Sequence, residues 1–333
     1  MPPPARTRRA AMTNLAGSAT VAASTSNVPP ARSPMTSAPS NLRGIAAMVF
    51  ATASFVVCDS FMKLATEALP PFEVLFLRGV AATVCCTMLL LVLGQGHVVR
   101  HSFNKAAVLR ACFETAAVLC YIVALSAMPI ADVVAIVQTA PLLLIVLVAS
   151  IWREKIGPRR IALIAVGFAG AVLVAQPNAS GLSSAAVLAF VSALGVALRD
   201  AFSRTVPSNV SPLAVTFSTV IIVMIGAGIM MLLTEDVAMP SPRHALYLLA
   251  AGLFVTIGHY AIFLAYRLGA PGAVAPFFYS FAIWAVVAGV IVFDELPNPI
   301  ALLGIAAIVA SGLGIVLLDR RVTRTPVPAV APD

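Results

Sequence analysis

Apolar runs follow one another along this chain from Gly44 to Leu318, separated only by short polar or Pro- and Gly-containing connections. Ten are predicted, near residues 44–65, 72–93, 105–126, 130–151, 160–176, 183–204, 212–233, 244–266, 271–293 and 299–318. Each is about 17–25 residues long, the length at which an α-helix crosses the hydrocarbon layer of a bilayer. Pro70-Pro71, Gly157-Pro158, Pro207, Pro240, Gly269 to Gly272 and Pro297 to Pro299 punctuate the gaps. The pattern predicts an all-α membrane protein with ten transmembrane helices.

Composition sharpens that reading. Of 333 residues, 60% are hydrophobic and 10% charged, whereas a soluble domain carries about 25% charged residues. Such a chain cannot coat itself with charge, so its solvent is the lipid bilayer. The net charge of +8 does not point to nucleic acid: the basic residues sit in loops and tails, and the few aromatics do not interleave with them. The five cysteines all fall inside apolar runs, without metal-ligand or disulfide spacing, and read as small packing residues.

Residues 1–42 are rich in Pro, Ala, Ser and Thr with scattered Arg and no acid, and read as a disordered cytoplasmic tail. They hold no apolar core of signal-peptide length. Residues 320–333 read as a second cytoplasmic tail. Ten spans put both ends on one side. With that side inside, the inner loops and tails hold 16 of the 21 Lys and Arg. The bias of basic residues toward the cytoplasm thus predicts a multi-pass protein of the inner (plasma) membrane with both termini cytoplasmic.

The chain also repeats itself. Asp59 and Asp200, Phe61 and Phe202, Lys63 and Arg204, Pro71 and Pro212, Glu154 and Glu295, and Pro158 and Pro299 are all 141 positions apart. One unbroken offset marks an internal duplication. Each unit, 43–176 and 183–319, holds five helices. Five is odd, so the second copy lies upside down relative to the first. The loop charges agree: Arg153 to Arg160 is basic, while its counterpart Asp294 to Ala301 carries no base. Inverted repeats are a transporter signature, with the substrate site at the repeat interface.

The run from Ala124 to Pro177 and its echo from Ala265 to Leu317 each contain a helix ending in Glu, then a Pro-containing turn and a Gly/Ala-rich last helix. In these features residues 43–319 resemble the drug/metabolite transporter superfamily, in its ten-helix branch with two EamA-type repeats. The Asp59/Lys63 pattern, the FEVLFLRG run around Arg78 and the APFFYSFAIW run resemble a bacterial subgroup that includes S-adenosylmethionine and riboflavin carriers. The resemblance implies a secondary transporter and leaves the substrate open.

Ionisable groups inside spans are costly and mark candidate function. Asp59 and Lys63 are i,i+4 on one helical face, as are Asp200 and Arg204. By helix rise Asp59 lies toward the outer side and Asp200 toward the inner. These pairs either gate the two ends of a cavity or merely neutralise bases that snorkel to the headgroups. Arg110, Glu114 and Tyr121 form one polar stripe on the third span; it either lines a watery cavity or buries an Arg110–Glu114 pair. Arg78, near the middle of the second span, needs an acid such as Asp59 or Glu114, or a substrate anion. Gln138 corresponds to Tyr279 in the duplication, and both stand where facing helices meet. Thr256, Tyr260 and Phe263 form a stripe on the eighth span, with His259 beside it as a packing residue and Trp284 on the ninth. The predicted binding groups are therefore Glu114, Tyr121, Gln138, Tyr260, Tyr279 and Trp284. Gating charges are assigned to Asp59, Lys63, Arg78, Arg110, Asp200 and Arg204.

No metalloprotease, nucleophile-elbow, P-loop or dinucleotide motif occurs. The expectation is a transporter, not an enzyme, with no metal or cofactor, moving a small organic metabolite by alternating access. A membrane-embedded enzyme and a non-transporting sensor or scaffold are the rivals, and homodimer formation stays open.

Overall fold

The computed structural model describes residues 38–96, 102–153, 156–177, 181–203, 205–207 and 210–324. Among them the chain forms twelve α-helices: α1 (Ala38–Ala65), α2 (Pro71–Val92), α3 (Lys105–Ala127), α4 (Ile130–Val137), α5 (Ala140–Trp152), α6 (Pro158–Ala175), α7 (Ser184–Ser203), α8 (Pro212–Thr234), α9 (Pro242–Leu268), α10 (Pro271–Val274), α11 (Ser280–Phe293) and α12 (Pro299–Arg324). A 3₁₀ turn, Ala275–Tyr279, joins α10 to α11. Taken together α4 with α5, and α10 with α11, make ten helices long and apolar enough to cross a membrane. The first begins at Ala38, ahead of the predicted Gly44, and the last runs to Arg324. The predicted tails otherwise lie outside the described residues.

Local chemistry sets the boundaries. Proline opens α2, α6, α9, α10 and α12, where its fixed φ suits the first turn and its missing N–H is not needed. Asn104 and Asn298 accept hydrogen bonds from the amides of Ala107 and Ala301, both at 2.9 Å, capping α3 and α12. Arg153 and Asp294 end α5 and α11 in the left-handed region, with φ of 53° and 55°. They are 141 positions apart, so the duplication extends to backbone conformation.

Two spans are broken, and in matching places. The fourth is interrupted at Gln138 and Thr139, just before Pro141, and the ninth unwinds through Ala275–Tyr279 around Pro276. Gln138 and Tyr279 are duplication partners. Irregular backbone at membrane depth is tolerated where protein or a cavity satisfies its polar groups.

Packing follows the same symmetry. The main contacts are α1 on α9, α3 on α7, α6 on α12, and α2 on α8. The duplication exchanges the first two pairs with each other and maps each of the others onto itself, as an inverted repeat requires. Close approach depends on small residues: a Cβ on Gly195 would come 2.8 Å from that of Ala117, where α7 crosses α3.

Alternating helix directions define two ends. The terminal end carries Asn41, whose side chain accepts from the Ala270 amide at 3.1 Å. The distal end carries the α1–α2, α8–α9 and α11–α12 connections. There, a cluster including Leu69, Val74, Leu75, Leu125, Ile130, Val134 and Leu248 fills the bundle, with Trp284 and Phe293 packed against it.

Candidate functional site

A cavity of about 910 Å³ lies between the two repeats. It runs from Asp59, Arg78 and Tyr121 in the bundle interior to Val206, Pro207 and Val210 in the α7–α8 connection at the terminal end. The broken segments contribute Gln138, Ala275, Phe278 and Tyr279 to its wall. Beyond Met62 and Tyr121 the apolar distal cluster takes over.

Three arginines and three carboxylates line this space: Arg78, Arg110 and Arg199 with Asp59, Glu114 and Asp200. Arg199 reaches Glu114 at 2.7 Å and Asp200 at 2.8 Å. Arg110 donates to the hydroxyls of Ser203, at 2.8 Å, and Thr219, at 3.0 Å. The Tyr121 hydroxyl donates to Asp59 Oδ2 at 2.7 Å. Phe55, one turn before Asp59, meets the edge of His259, with ring centroids 5.1 Å apart, and tilts against Phe281 at 6.3 Å. The His259 Nδ1 bonds to the Val255 carbonyl at 2.7 Å, which fixes its ring at the cavity wall.

The distal end is held by a contact between the repeats. Lys63 Nζ lies 2.8 and 2.9 Å from the two carboxylate oxygens of Glu295, donates to the Met128 carbonyl at 3.2 Å, and sits 4.8 Å from the centroid of Phe293. Nearby, Glu235 accepts the amides of Phe72 and Glu73 at the start of α2, both at 2.9 Å, and Glu73 accepts the Ala238 amide at 2.9 Å.

Several predicted partnerships are corrected. Asp59 and Lys63 share a helical face but do not pair: Tyr121 takes Asp59 and Glu295 takes Lys63, because the packing of α3 and α11 against α1 brings these groups to it. Arg110 does not pair with Glu114, which Arg199 holds instead. Arg78 has no carboxylate within 4.0 Å among the described residues. Tyr260 packs on the cluster of Cys86, Leu90, Leu213 and Phe217 rather than on the cavity. Trp284 is part of the distal core, not the cavity lining. His259, expected to pack, both packs and lines the cavity. Arg204 and Glu154 lie outside the described residues.

Glu114, Tyr121, Gln138 and Tyr279 are brought together on the cavity with Asp59, Arg78, Arg110 and Asp200. Sequence reasoning missed two groups. Arg199 aligns with uncharged Cys58 under the duplication, so symmetry gave no hint of its role. Glu295 was visible as a helix-ending acid, but its partner is 232 positions away.

Ten apolar helices in two inverted units around a polar cavity are the architecture of a membrane transporter. The chain belongs to the EamA-like transporter family, whose model matches residues 42–176 and 183–317. A riboflavin transporter of Rhizobium johnstonii is 30% identical over 207 residues, covering 62% of this chain and 68% of that protein. An uncharacterized transporter of Helicobacter pylori is 25% identical over 289 residues, covering 83% and 95%. A riboflavin transporter of Vibrio cholerae is 29% identical over 185 residues, covering 55% and 61%. A solved crystal structure at 19% identity superposes with a TM-score of 0.61 over 83% of this chain and 98% of the other, a likeness of fold.

Proposed function

We propose that this chain is a secondary transporter that carries a small, planar organic metabolite across the inner membrane by alternating access of its two inverted repeats. The observation that carries the reading is the cavity itself. Both repeats line it, charged groups sit at bilayer depth, and it reaches the terminal end while the distal end is filled by apolar packing and the Lys63–Glu295 bridge. Such an arrangement is one half of an alternating cycle, with the site accessible from one side at a time. In the orientation given by the basic loops, the accessible side is the cytoplasm.

Substrate size and type follow from the lining. Ligand pockets of roughly 300–1,000 Å³ hold drug-sized molecules, with apolar walls and a few placed polar groups. Phe55, Phe278, Phe281 and His259 supply flat walls, and the arginine–carboxylate groups supply polar contacts. The two relatives named as riboflavin transporters support a heterocyclic solute of that shape.

The test is flux into proteoliposomes holding the full chain, scanned over radiolabelled metabolites. Saturable uptake of a planar heterocycle that Arg199→Gln abolishes is the expected result, because that substitution leaves Glu114 and Asp200 without their cation. Absence of saturable flux for every solute in the panel would overturn the reading.

A further inference from the structure

The three arginines of the cavity differ in one respect. Arg199 is held by two carboxylates and Arg110 by two hydroxyls. Arg78 makes no ion pair within 4.0 Å among the described residues, has only the weakly accepting Cys58 thiol beside it, and its Nε is buried without a partner. A guanidinium in mid-span without a carboxylate partner is costly, and its five donors in a fixed fork are suited to planar acceptors. Beside it, Asp59 takes the Tyr121 hydroxyl on Oδ2, and Oδ1 receives no hydrogen bond among the described residues. This end of the cavity thus presents donors next to an acceptor.

The surroundings select what that pair would bind. Three bases and three acids line the cavity, so the lining is balanced and suits a neutral ligand rather than a net anion. Phe55 precedes Asp59 by one helical turn and packs with Phe281 and His259, so the polar pair borders an aromatic wall. A flat ring can lie along that wall with its polar edge against Arg78 and Asp59.

We propose that Arg78 and Asp59 are the recognition pair for the lactam or imide edge of a neutral planar heterocycle. Arg78 donates to a ring carbonyl, and Asp59 Oδ1 accepts from the adjacent ring N–H. Tyr121 is the positioning residue that holds the carboxylate in register. This deepens the transport reading above and rests on it.

The experiment is equilibrium binding to the purified full-length chain in nanodiscs, read by fluorescence anisotropy. One probe is riboflavin, whose ring carries an imide N–H between two carbonyls. The other is its N3-methyl derivative, which lacks that N–H. A site built to hydrogen-bond a group rejects the analogue that lacks it, so the methylated probe is expected to bind at least about tenfold more weakly. Arg78→Gln is expected to weaken riboflavin at least about tenfold, while Arg78→Lys, which keeps the charge, retains part of the affinity. Asp59→Asn is expected to bring the two probes within about threefold of each other. That loss of discrimination is a readout that a purely structural role for Asp59 would not move. Equal binding of both probes by the wild type, or riboflavin affinity within twofold in Arg78→Gln, overturns the recognition pair and leaves transport standing. Failure of the wild type to bind riboflavin, with saturable uptake of zwitterionic amino acids instead, overturns the planar-heterocycle reading and this inference with it.

Discussion

Removing the Lys63–Glu295 bridge should loosen the distal end by an amount the structure constrains. Lys63 donates to both oxygens of Glu295 and to the Met128 carbonyl, and the two side chains are 12% and 34% exposed. Exposed pairs contribute about 0–1 kcal/mol, whereas breaking a buried pair costs about 3–5 kcal/mol. A half-buried, multiply bonded pair falls between, at roughly 2 kcal/mol, and solvent screening of Glu295 keeps it from the upper figure. Since about 1.4 kcal/mol is a factor of ten, Lys63→Gln should raise the ratio of distally open to distally closed molecules by about 30-fold. Spin labels on Glu67→Cys and Leu296→Cys, both exposed in distal loops, would report this as a growing population at longer separation in pulsed electron–electron resonance. Glu295→Gln should do the same, and the double variant should add little to either single one, because one contact is lost in all three. An unchanged distance distribution in both single variants, with intact folding, would refute the assignment of the bridge as the distal lock.

Other outcomes follow from separate features. Glu235→Ala removes a carboxylate that accepts two amides at the start of α2, so thermal unfolding in detergent should show a loss of about 1–2 kcal/mol; an unshifted melting curve would count against the cap. Gly312→Ala places a Cβ against the Tyr279 ring, an overpacking expected to cost about 1–3 kcal/mol and to displace a cavity-lining side chain. Gly272→Ala, with open space around it, is the matched control that should melt like the wild type. By the 141-residue offset, Arg204 and Glu154 are the sequence counterparts of Lys63 and Glu295. Arg204→Glu and Glu154→Arg are each expected to slow flux and, combined, to restore part of it; no rescue would separate them functionally.

The sequence by itself determined the spans, the duplication and the inversion. Those properties are written in one dimension: a run of apolar residues long enough to cross lipid has no other stable solvent, and an odd number of helices per repeat forces the second copy upside down. It also placed Glu114, Tyr121, Gln138 and Tyr279 at the interior, because polar groups in an apolar helix are driven toward a common wet space. What it could not supply was partner choice. Lys63 bonds to Glu295 rather than to the acid one turn away, Arg199 takes Glu114 from Arg110, and Tyr260 and Trp284 turn into packed core. Periodicity fixes which face of a helix a residue occupies, whereas its partner depends on which helix lies opposite and at what height. Helices α1 and α9, or α3 and α7, are brought together only by the fold. Tertiary structure therefore decided which charges meet at the distal end, which satisfy one another, and which one, Arg78, lines the cavity without a carboxylate partner.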